Sequence, residues 1–198
     1  MNIKAINLDF YGTLLDWLKI WVEVSDRIII ENNLKISSTE LALQWREYQR
    51  KLLDNKEFIP YKENIFLALE KLCKVYKIKN KKYDELLFKK WKDIEPYQEV
   101  EKSLKRLKAG YKLSICTNSS KELFNIASEK IHIKFDYVFI SDETKVNKPH
   151  PKIYQMVIDS LGYDSKKILH VASSQMDVSG AVNSGGCPPI IFKFNTWE

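Results

Sequence analysis

From Pro96 onward the sequence alternates short apolar stretches with longer amphipathic ones, and this alternation limits the possible folds more than any other feature. Short apolar runs are typical of buried strands, whereas apolar residues at three- and four-residue steps are typical of helices. Strands are predicted at 112–116, 137–140, 168–172 and 190–193, and helices at about 99–108, 121–130, 151–161 and 178–184. Strands that alternate with helices predict right-handed crossovers and a parallel sheet.

The chain before Pro96 has a different pattern. A first strand is predicted over 3–10, and the sequence then becomes helical, with Trp17, Trp21 and Ile28 on one face. Ser37 and Glu40 have the spacing of a capping box at the start of a second helix, which is predicted to end near residue 53. Two more helices are predicted from the apolar residues Ile65, Leu69 and Leu72 and from Tyr83, Leu86, Leu87 and Trp91.

These elements together predict the fold class α/β: a Rossmann-like parallel sheet core with helices on both faces and a helical cap inserted after the first strand. The predicted domains are an α/β core of residues 1–14 and 95–198 and a helical cap of residues 15–94. In open parallel sheets, ligands bind outside the carboxyl ends of the strands. An insert that leaves the sheet from that edge is therefore expected to cover the site.

Hydropathy and charge exclude several classes of function. Hydrophobic residues make up 44% of the chain and charged residues 29%, which is ordinary for a globular protein. No apolar run approaches the roughly 18 residues of a membrane span, and the N-terminal residues lack the layout of a signal peptide. We therefore expect a cytoplasmic protein with no membrane partner.

The basic balance of the chain raises the question of nucleic-acid binding. The formal net charge is +6 and the pI is about 9.0, and a basic surface is the electrostatic signature of many nucleic-acid-binding proteins. The lysines are, however, spread along predicted helices and interleaved with glutamates, as in Glu70-Lys71 and Glu129-Lys130. This pattern favours a solvated lysine-rich surface, so no nucleic-acid partner is expected.

Cysteine and histidine residues suggest neither a metal site nor a redox pair. The three cysteines and three histidines are far apart and lack ligand spacing: Cys73, Cys116, Cys187, His132, His150 and His170. Buried thiols are the expected state of the cysteines.

Four polar groups fall at or after the predicted carboxyl ends of four strands. They are Asp9 in "LDFYGTLLD", Thr117 and Asn118 after "KLSIC", Lys148 in "NKPHPKIY" and Asp177 in "VASSQMD". Each is weak evidence alone, because a strand-end Asp or a Lys before Pro is common in loops. Four in this order, at the same edge of one sheet, predict a catalytic site.

With these motifs, the sequence resembles the haloacid dehalogenase superfamily of α/β hydrolytic enzymes over essentially its whole length. Within the superfamily, "LDFYGTLLD", "KPHPKIY" and "SSQMD" are most similar to the L-2-haloacid dehalogenases. The resemblance implies a helical cap, a small-molecule 2-haloacid as substrate, and a homodimer as a hypothesis.

Two positions distinguish this sequence from the phosphatases of the superfamily. Those enzymes carry a second acid two residues after the nucleophile, because an alkoxide leaving group needs a proton. They also use Mg²⁺, because a phosphate dianion repels the attacking carboxylate. Here Tyr11 replaces the second acid, and Ser173 stands where metal-dependent relatives carry another acid. Halide leaves without a proton and a 2-haloacid presents a neutral carbon, so both replacements favour a reaction without metal or cofactor.

The resemblance assigns catalytic roles to three residues. Asp9 is expected to attack C2 of an L-2-haloacid, expel halide and form an ester, which water hydrolyses to a 2-hydroxy acid with inversion. Asp177 is expected to orient or activate that water, and Lys148 to favour the ionised form of Asp9. The alternative for Lys148 and Asp177 is a purely structural ion pair.

Further residues are predicted to bind the substrate. Thr117 and Asn118 precede a helix, whose N-terminal amides favour anions. Arg46 follows a Trp on a predicted cap helix and is expected over the halogen and carboxylate, with Arg50 as its rival. Tyr154 matches a tyrosine that supports the site in the family, although core packing accounts for it nearly as well. The full predicted set is Tyr11, Thr13, Arg46, Thr117, Asn118, Tyr154, Ser173 and Ser174.

The last motif departs from the dehalogenase pattern. Family members usually read Ser-Ser-Asn before the spacer to the final Asp, whereas this chain reads Ala172-Ser173-Ser174. One hydroxyl is lost and one amide is replaced, and Met176 occupies a position where family members can carry an aromatic residue. Two other functions stay open: a phosphatase of the same superfamily, which needs Mg²⁺ ligands, and a catalytically silent binding module.

Overall fold

The computed structural model describes residues 2–53, 57–79, 82–185 and 189–191. Five strands form one parallel sheet in the order β5-β4-β1-β6-β7, so the first strand lies at its centre. The strands are β1 (Ala5–Leu8), β4 (Lys112–Thr117), β5 (Tyr137–Ile140), β6 (Ile168–Ala172) and β7 (Pro189–Ile191). The predicted parallel sheet is therefore confirmed, although the end of the last predicted strand, residues 192–193, lies outside the described residues.

Helices cover both faces of the sheet. They are α5 (Val100–Lys108), α6 (Lys121–Ser128), α7 (Ser141–Thr144), α8 (Pro151–Leu161) and α9 (Gln175–Asn183). Because both faces are buried, β1 and β4 are almost continuously buried along their length. One core runs from the helical insert to the sheet face that carries Ile6, Leu8 and Leu113, and a second, smaller core lies under α8, around Tyr154 and Val157.

The helical insert follows β1 as the sequence predicts. Its helices are α1 (Leu18–Asn32), α2 (Ser38–Leu53), α3 (Tyr61–Tyr76) and α4 (Tyr83–Lys90), followed by a 3-10 turn at Trp91–Asp93. Apolar faces of α1 and α2 pack together, with Trp21 and Trp45 fully buried and their ring centroids 4.7 Å apart. The Ser37 hydroxyl accepts a hydrogen bond from the Glu40 N–H at 3.2 Å, which is half of the predicted capping box.

A two-stranded antiparallel ribbon joins the insert to the sheet. β2 (Leu15–Asp16) pairs with β3 (Glu95–Pro96), so the chain leaves and re-enters the core at adjacent points. Two residues per strand are too few to produce a periodic pattern, and the sequence did not predict this ribbon. The division into residues 1–14 with 95–198 and residues 15–94 stays a prediction, and the ribbon lies at its proposed joints.

The cysteines and histidines are placed separately. Cys73 and Cys116 are buried, and Cys187 lies outside the described residues. His132 and His150 are exposed, whereas His170 is buried in β6. Within the described part of the chain, no helix is long and apolar enough to cross a membrane.

Candidate active site

The carboxyl ends of the three central strands meet at one point of the sheet. Leu8 of β1 lies opposite Ile115 of β4 and Val171 of β6, so the chain segments that follow these strands are neighbours. Asp9 comes directly after β1, and Ser173 directly after β6. The order of the strands reverses direction at β1, and ligands of open α/β sheets bind at such a switch point.

Asp9 is held by two donors. The Lys148 Nζ donates to Oδ1 of Asp9 at 2.6 Å, and the Thr13 hydroxyl donates to Oδ2 at 2.7 Å. Thr13 in turn accepts the Ser173 N–H at 3.0 Å, which links the loop after β1 to the loop after β6. The Asp9 carboxylate is thus fixed in orientation at the sheet edge, and it lines a pocket there.

Asp177 is bound from three sides. Its Oδ2 accepts from the Lys148 Nζ at 2.5 Å, and its Oδ1 accepts from the Tyr154 hydroxyl at 2.6 Å and from the His170 Nε2 at 2.9 Å. Burial alone would raise the pKa of Asp177, but the charge of Lys148 and the contact with His170 outweigh it and hold the pKa well below its usual range. The carboxyl is therefore ionised in this environment.

Lys148 lies between the two carboxylates with its side chain 5% exposed. Burial would lower the pKa of its ammonium, but the charges of Asp177 and Asp9 reverse that effect and raise the pKa above its usual value. The backbone of Lys148 is fixed as well. The Lys148 N–H donates to the Asn118 Oδ1 at 2.7 Å, and the Asn118 Nδ2 donates to the Lys148 C=O at 3.0 Å.

Helix α9 begins at Gln175, three residues before the predicted start at 178. Asp177 therefore lies in the first turn of the helix, where the unpaired backbone N–H groups favour a negative charge. The prediction missed this start because Ser174, Gln175 and Met176 carry no apolar periodicity.

The pocket in front of Asp9 has a volume of about 60 Å³. Both the sheet and the insert contribute to its walls. The lining residues are Asp9, Tyr11, Trp17, Trp21, Arg46, Tyr61, Trp91, Thr117, Asn118, Lys148, Ser174, Met176 and Asp177.

The aromatic half of this pocket comes from the insert. Sequence periodicity assigned Trp17, Trp21 and Trp91 only to the apolar faces of helices. It assigned no role to Tyr61, which also lines the pocket. Periodicity identifies a helix face that is buried, but it does not distinguish a face that packs in the core from one that borders a ligand.

Arg46, on α2, reaches the pocket, and Arg50 makes a different contact. The Arg46 guanidinium lies 5.5 Å from the centroid of the Trp17 ring and donates to the Gln49 Oε1 at 2.8 Å. Arg50 instead forms an ion pair with Glu47 at 2.7 Å, and its side chain is 41% exposed. Of the two candidates, only Arg46 lines the pocket.

Tyr11 lines the pocket with its ring, and its hydroxyl is engaged elsewhere. The hydroxyl donates to the Leu123 C=O at 3.2 Å and accepts from the Trp91 Nε1 at 3.1 Å. Burial raises the pKa of the Tyr11 phenol above its usual value, so it stays protonated. Tyr11 therefore bridges the core and the insert at the position where phosphatases carry an acid.

The other predicted substrate-binding residues divide into two groups. Thr117 and Ser174 line the pocket, and the Thr117 hydroxyl has no hydrogen-bond partner among the residues described. The second group supports the catalytic residues. Thr13 bonds to Asp9, Tyr154 bonds to Asp177, and Ser173 bonds to Thr13. Tyr154, which is 1% exposed, bonds to Asp177, so its position is that of a supporting residue.

Two glycines allow the elements around the site to pack closely against each other. Gly12 has a φ of +87°, and a Cβ there would lie 2.9 Å from the Trp17 Nε1 and 3.1 Å from the Ser173 Oγ. A Cβ on Gly180, in α9, would lie 2.7 Å from the Tyr154 hydroxyl and 2.8 Å from the Pro149 backbone. Because Gly180 has no Cβ, α9, which carries Asp177, lies directly against Pro149, the residue after Lys148.

The residues at this edge do not fit a Mg²⁺ ion held in the manner of the phosphatases. Mg²⁺ needs oxygen ligands in near-octahedral geometry, but the Lys148 ammonium lies between Asp9 and Asp177. Tyr11 and Ser173 stand at the positions where metal-dependent relatives carry acids. Across the described ranges, no three His, Cys, Asp or Glu side chains are grouped as metal ligands.

Comparisons with known proteins identify the family. A model of haloacid dehalogenase-like hydrolases matches residues 6–186, so the chain belongs to that family.

The chain is also similar to individual proteins. The chain is 27% identical over 207 residues to (S)-2-haloacid dehalogenase 4A of Burkholderia cepacia, covering 95% of this chain and 86% of that protein. It is also 26% identical over 195 residues to pyrophosphatase PpaX of Bacillus cereus, covering 93% and 81%. The solved structure of L-2-haloacid dehalogenase from Xanthobacter autotrophicus superposes with a TM-score of 0.78 at 24% identity, covering 92% and 75%, and this likeness shows the fold.

Proposed function

We propose that this protein is a metal-independent hydrolytic dehalogenase that converts L-2-haloalkanoic acids to 2-hydroxy acids with inversion at C2. One observation carries the proposal. Asp9 lines the pocket and is oriented by Lys148 and Thr13, while a phenol and a hydroxyl occupy the two positions where phosphatases carry acids. A nucleophilic carboxylate with no second acid two residues after it suits a substrate whose leaving group needs no proton.

The first half-reaction is displacement at carbon. A carboxylate oxygen of Asp9 forms a bond to C2 while the carbon–halogen bond breaks, and the halide leaves with the bonding electron pair. Attack from the side opposite the halogen inverts C2. Thr13 and Lys148 hold the carboxylate for this attack, at 2.7 Å and 2.6 Å from its two oxygens.

The second half-reaction is hydrolysis of the ester. Water attacks the carboxyl carbon of Asp9, the bond from that carbon to the Asp9 oxygen attached to C2 breaks, and the 2-hydroxy acid leaves with that oxygen. Of the two protons of the water, one ends on the product hydroxyl and one is released. Asp177 lines the pocket and is the proposed group that orients this water. Its depressed pKa makes it a weak base, so orientation is the larger part of its role.

The substrate carboxylate is proposed to lie between Arg46 and Thr117. Arg46 supplies a positive charge at the insert side of the pocket, and the Thr117 hydroxyl supplies a donor at the end of β4. The aromatic rings of Trp17 and Trp91 then surround the halogen and the carbon chain. The pocket is small, so the short acids haloacetate and 2-halopropionate are the proposed substrates.

Halide release should depend on the configuration of the substrate and be independent of metal. We expect release from L-2-chloropropionate, none from the D enantiomer, and the same rate with and without EDTA, because no step uses a metal. Chloride is measured by ion chromatography. Complete loss of activity in EDTA would contradict the metal-independent mechanism.

The phosphatase alternative rests on the similarity to pyrophosphatase PpaX. It predicts Mg²⁺-dependent release of phosphate from pyrophosphate or a generic phosphate ester, abolished by chelator. The same assay, run with phosphate substrates, therefore separates the two functions. Failure to turn over either class would favour a silent binding module. The homodimer stays a prediction.

Arg46→Gln should raise the KM for L-2-chloropropionate by roughly 10- to 100-fold, since a hydrogen bond to a charged group is worth about 1.5–3 kcal/mol. Arg50→Gln is the matched control, because Arg50 lies one turn further along the same helix and pairs with Glu47. Its KM should equal that of the wild type. Steady-state kinetics of both variants provide the measurement, and an unchanged KM in Arg46→Gln would remove Arg46 from the substrate site.

A further inference from the structure

A buried hydrogen-bond chain extends behind Asp177, away from the pocket. His170, in β6, contacts the Asp177 Oδ1 through its Nε2 at 2.9 Å, and its Nδ1 lies 2.9 Å from the Asn7 Nδ2 in β1. The Asn7 Oδ1 accepts from the Ser114 hydroxyl in β4 at 2.9 Å. The chain thus crosses the three central strands of the sheet, and His170, Asn7 and Ser114 are at most 2% exposed.

The partners of His170 determine which nitrogen carries its proton. Ionised Asp177 is only an acceptor, so the Nε2 must carry a hydrogen. Asn7 turns its amide nitrogen, a donor, toward the Nδ1, because its carbonyl oxygen is taken by the Ser114 hydroxyl. The Nδ1 is therefore an acceptor without a hydrogen. This arrangement specifies a neutral imidazole with its hydrogen on the Nε2.

In this tautomer His170 helps to orient the Asp177 carboxylate. The Asp177 Oδ2 bonds to Lys148, which also bonds to Asp9, whereas the Oδ1 bonds to His170 and Tyr154. The two donors behind Asp177 therefore fix the rotation of its carboxylate. Tyr154 also packs edge-on against the His170 ring, with centroids 5.5 Å apart, so the two donors support each other.

We propose that His170 is a positioning residue, locked by Asn7 as the neutral Nε2–H tautomer, which aims the Asp177 carboxylate at Lys148 and at the hydrolytic water. His170 does not touch the substrate and acts only through Asp177. The proposal deepens the proposed function and rests on it for its kinetic consequences. The tautomer itself can be measured without turnover.

The first test reads the tautomer directly. Long-range ¹H–¹⁵N NMR of the full-length protein at pH 7.5 distinguishes the protonated from the unprotonated ring nitrogen of each histidine, and His170→Gln assigns the signals. We expect a neutral His170 with its hydrogen on the Nε2. Asn7→Leu removes the donor to the Nδ1, and the preference should then disappear. An Nδ1–H tautomer or an imidazolium in the wild type would overturn the proposal, whether or not the protein releases halide.

The second test compares two substitutions of His170. His170→Phe keeps a planar ring against Tyr154 but removes the donor to Asp177, whereas His170→Gln offers an amide donor near the position of the Nε2. In His170→Phe, kcat for L-2-chloropropionate should fall on the order of 10- to 100-fold with KM unchanged. His170→Gln should retain most of kcat.

Thermal unfolding of both variants controls for folding. Equal losses in His170→Phe and His170→Gln that follow their unfolding temperatures would reduce His170 to a core residue and overturn the positioning role. Wild-type kcat in His170→Phe would do the same. If the wild type releases no halide from any haloacid, the dehalogenase function fails while the NMR result still decides the tautomer.

Discussion

Asp9→Asn should reduce halide release by roughly 10⁴- to 10⁶-fold, the range seen when a catalytic nucleophile is removed. An amide is not a competent nucleophile, and it also loses the charged contact with Lys148 at 2.6 Å. The fold should persist, because Lys148 keeps its second partner, Asp177. Chloride release from L-2-chloropropionate gives the rate, and circular dichroism confirms the fold.

Asp16→Asn provides the matched control for this substitution. Asp16 lies in the β2–β3 ribbon, outside the residues that line the pocket, and the change in chemistry is the same. Its activity should equal that of the wild type. Retention of most activity in Asp9→Asn would exclude Asp9 as the nucleophile, provided that mass spectrometry shows no deamidation back to Asp.

Asp177→Asn should separate the two half-reactions. If Asp177 orients the hydrolytic water, Asp9 in the variant still expels halide once, and hydrolysis of the ester slows by about 10²- to 10⁴-fold. One equivalent of halide should appear as a burst, followed by little turnover. Mass spectrometry of the variant with L-2-chloropropionate should detect a covalent adduct, and peptide mapping should locate it on Asp9.

A different outcome would follow from the structural ion pair. Lys148 bonds to both carboxylates, so loss of Asp177 could displace the ammonium from Asp9 as well. The first step would then be impaired, with neither burst nor adduct. That result would contradict the water-orienting role of Asp177 and support a purely structural role.

The sheet and the main polar groups of the site were predictable because they depend on local patterns. Apolar runs identified β1, β4, β5 and β6. Asp9 and Thr117 follow the first two of these predicted runs, and both line the pocket at the carboxyl edge of the sheet. In a parallel sheet, the ends of neighbouring strands lie together whatever the loops do. Lys148 and Asp177 needed the family resemblance as well, because a loop lysine and a helix aspartate carry no such pattern.

The parts that were missed depend on contacts between distant residues. Asn7 and His170 stand in the middle of apolar strands, and this polar interruption was the available signal. It could not reveal that the two side chains pair across 163 residues of sequence. The aromatic wall of the pocket was missed for the same reason. Helical periodicity places Trp21 on a buried face, but it does not show which residues or ligand that face contacts.

Oxygen labelling in a single turnover tests the central proposal, an ester on Asp9, most directly. Enzyme in excess over L-2-chloropropionate is allowed to react in ¹⁸O-labelled water, and product and protein are analysed by mass spectrometry. If water attacks the carboxyl carbon of Asp9, the first-turnover 2-hydroxy acid carries unlabelled oxygen from Asp9, and the label appears in the peptide that contains Asp9. Label in the product hydroxyl, with none in that peptide, would show that water attacks C2 directly and would contradict the ester mechanism.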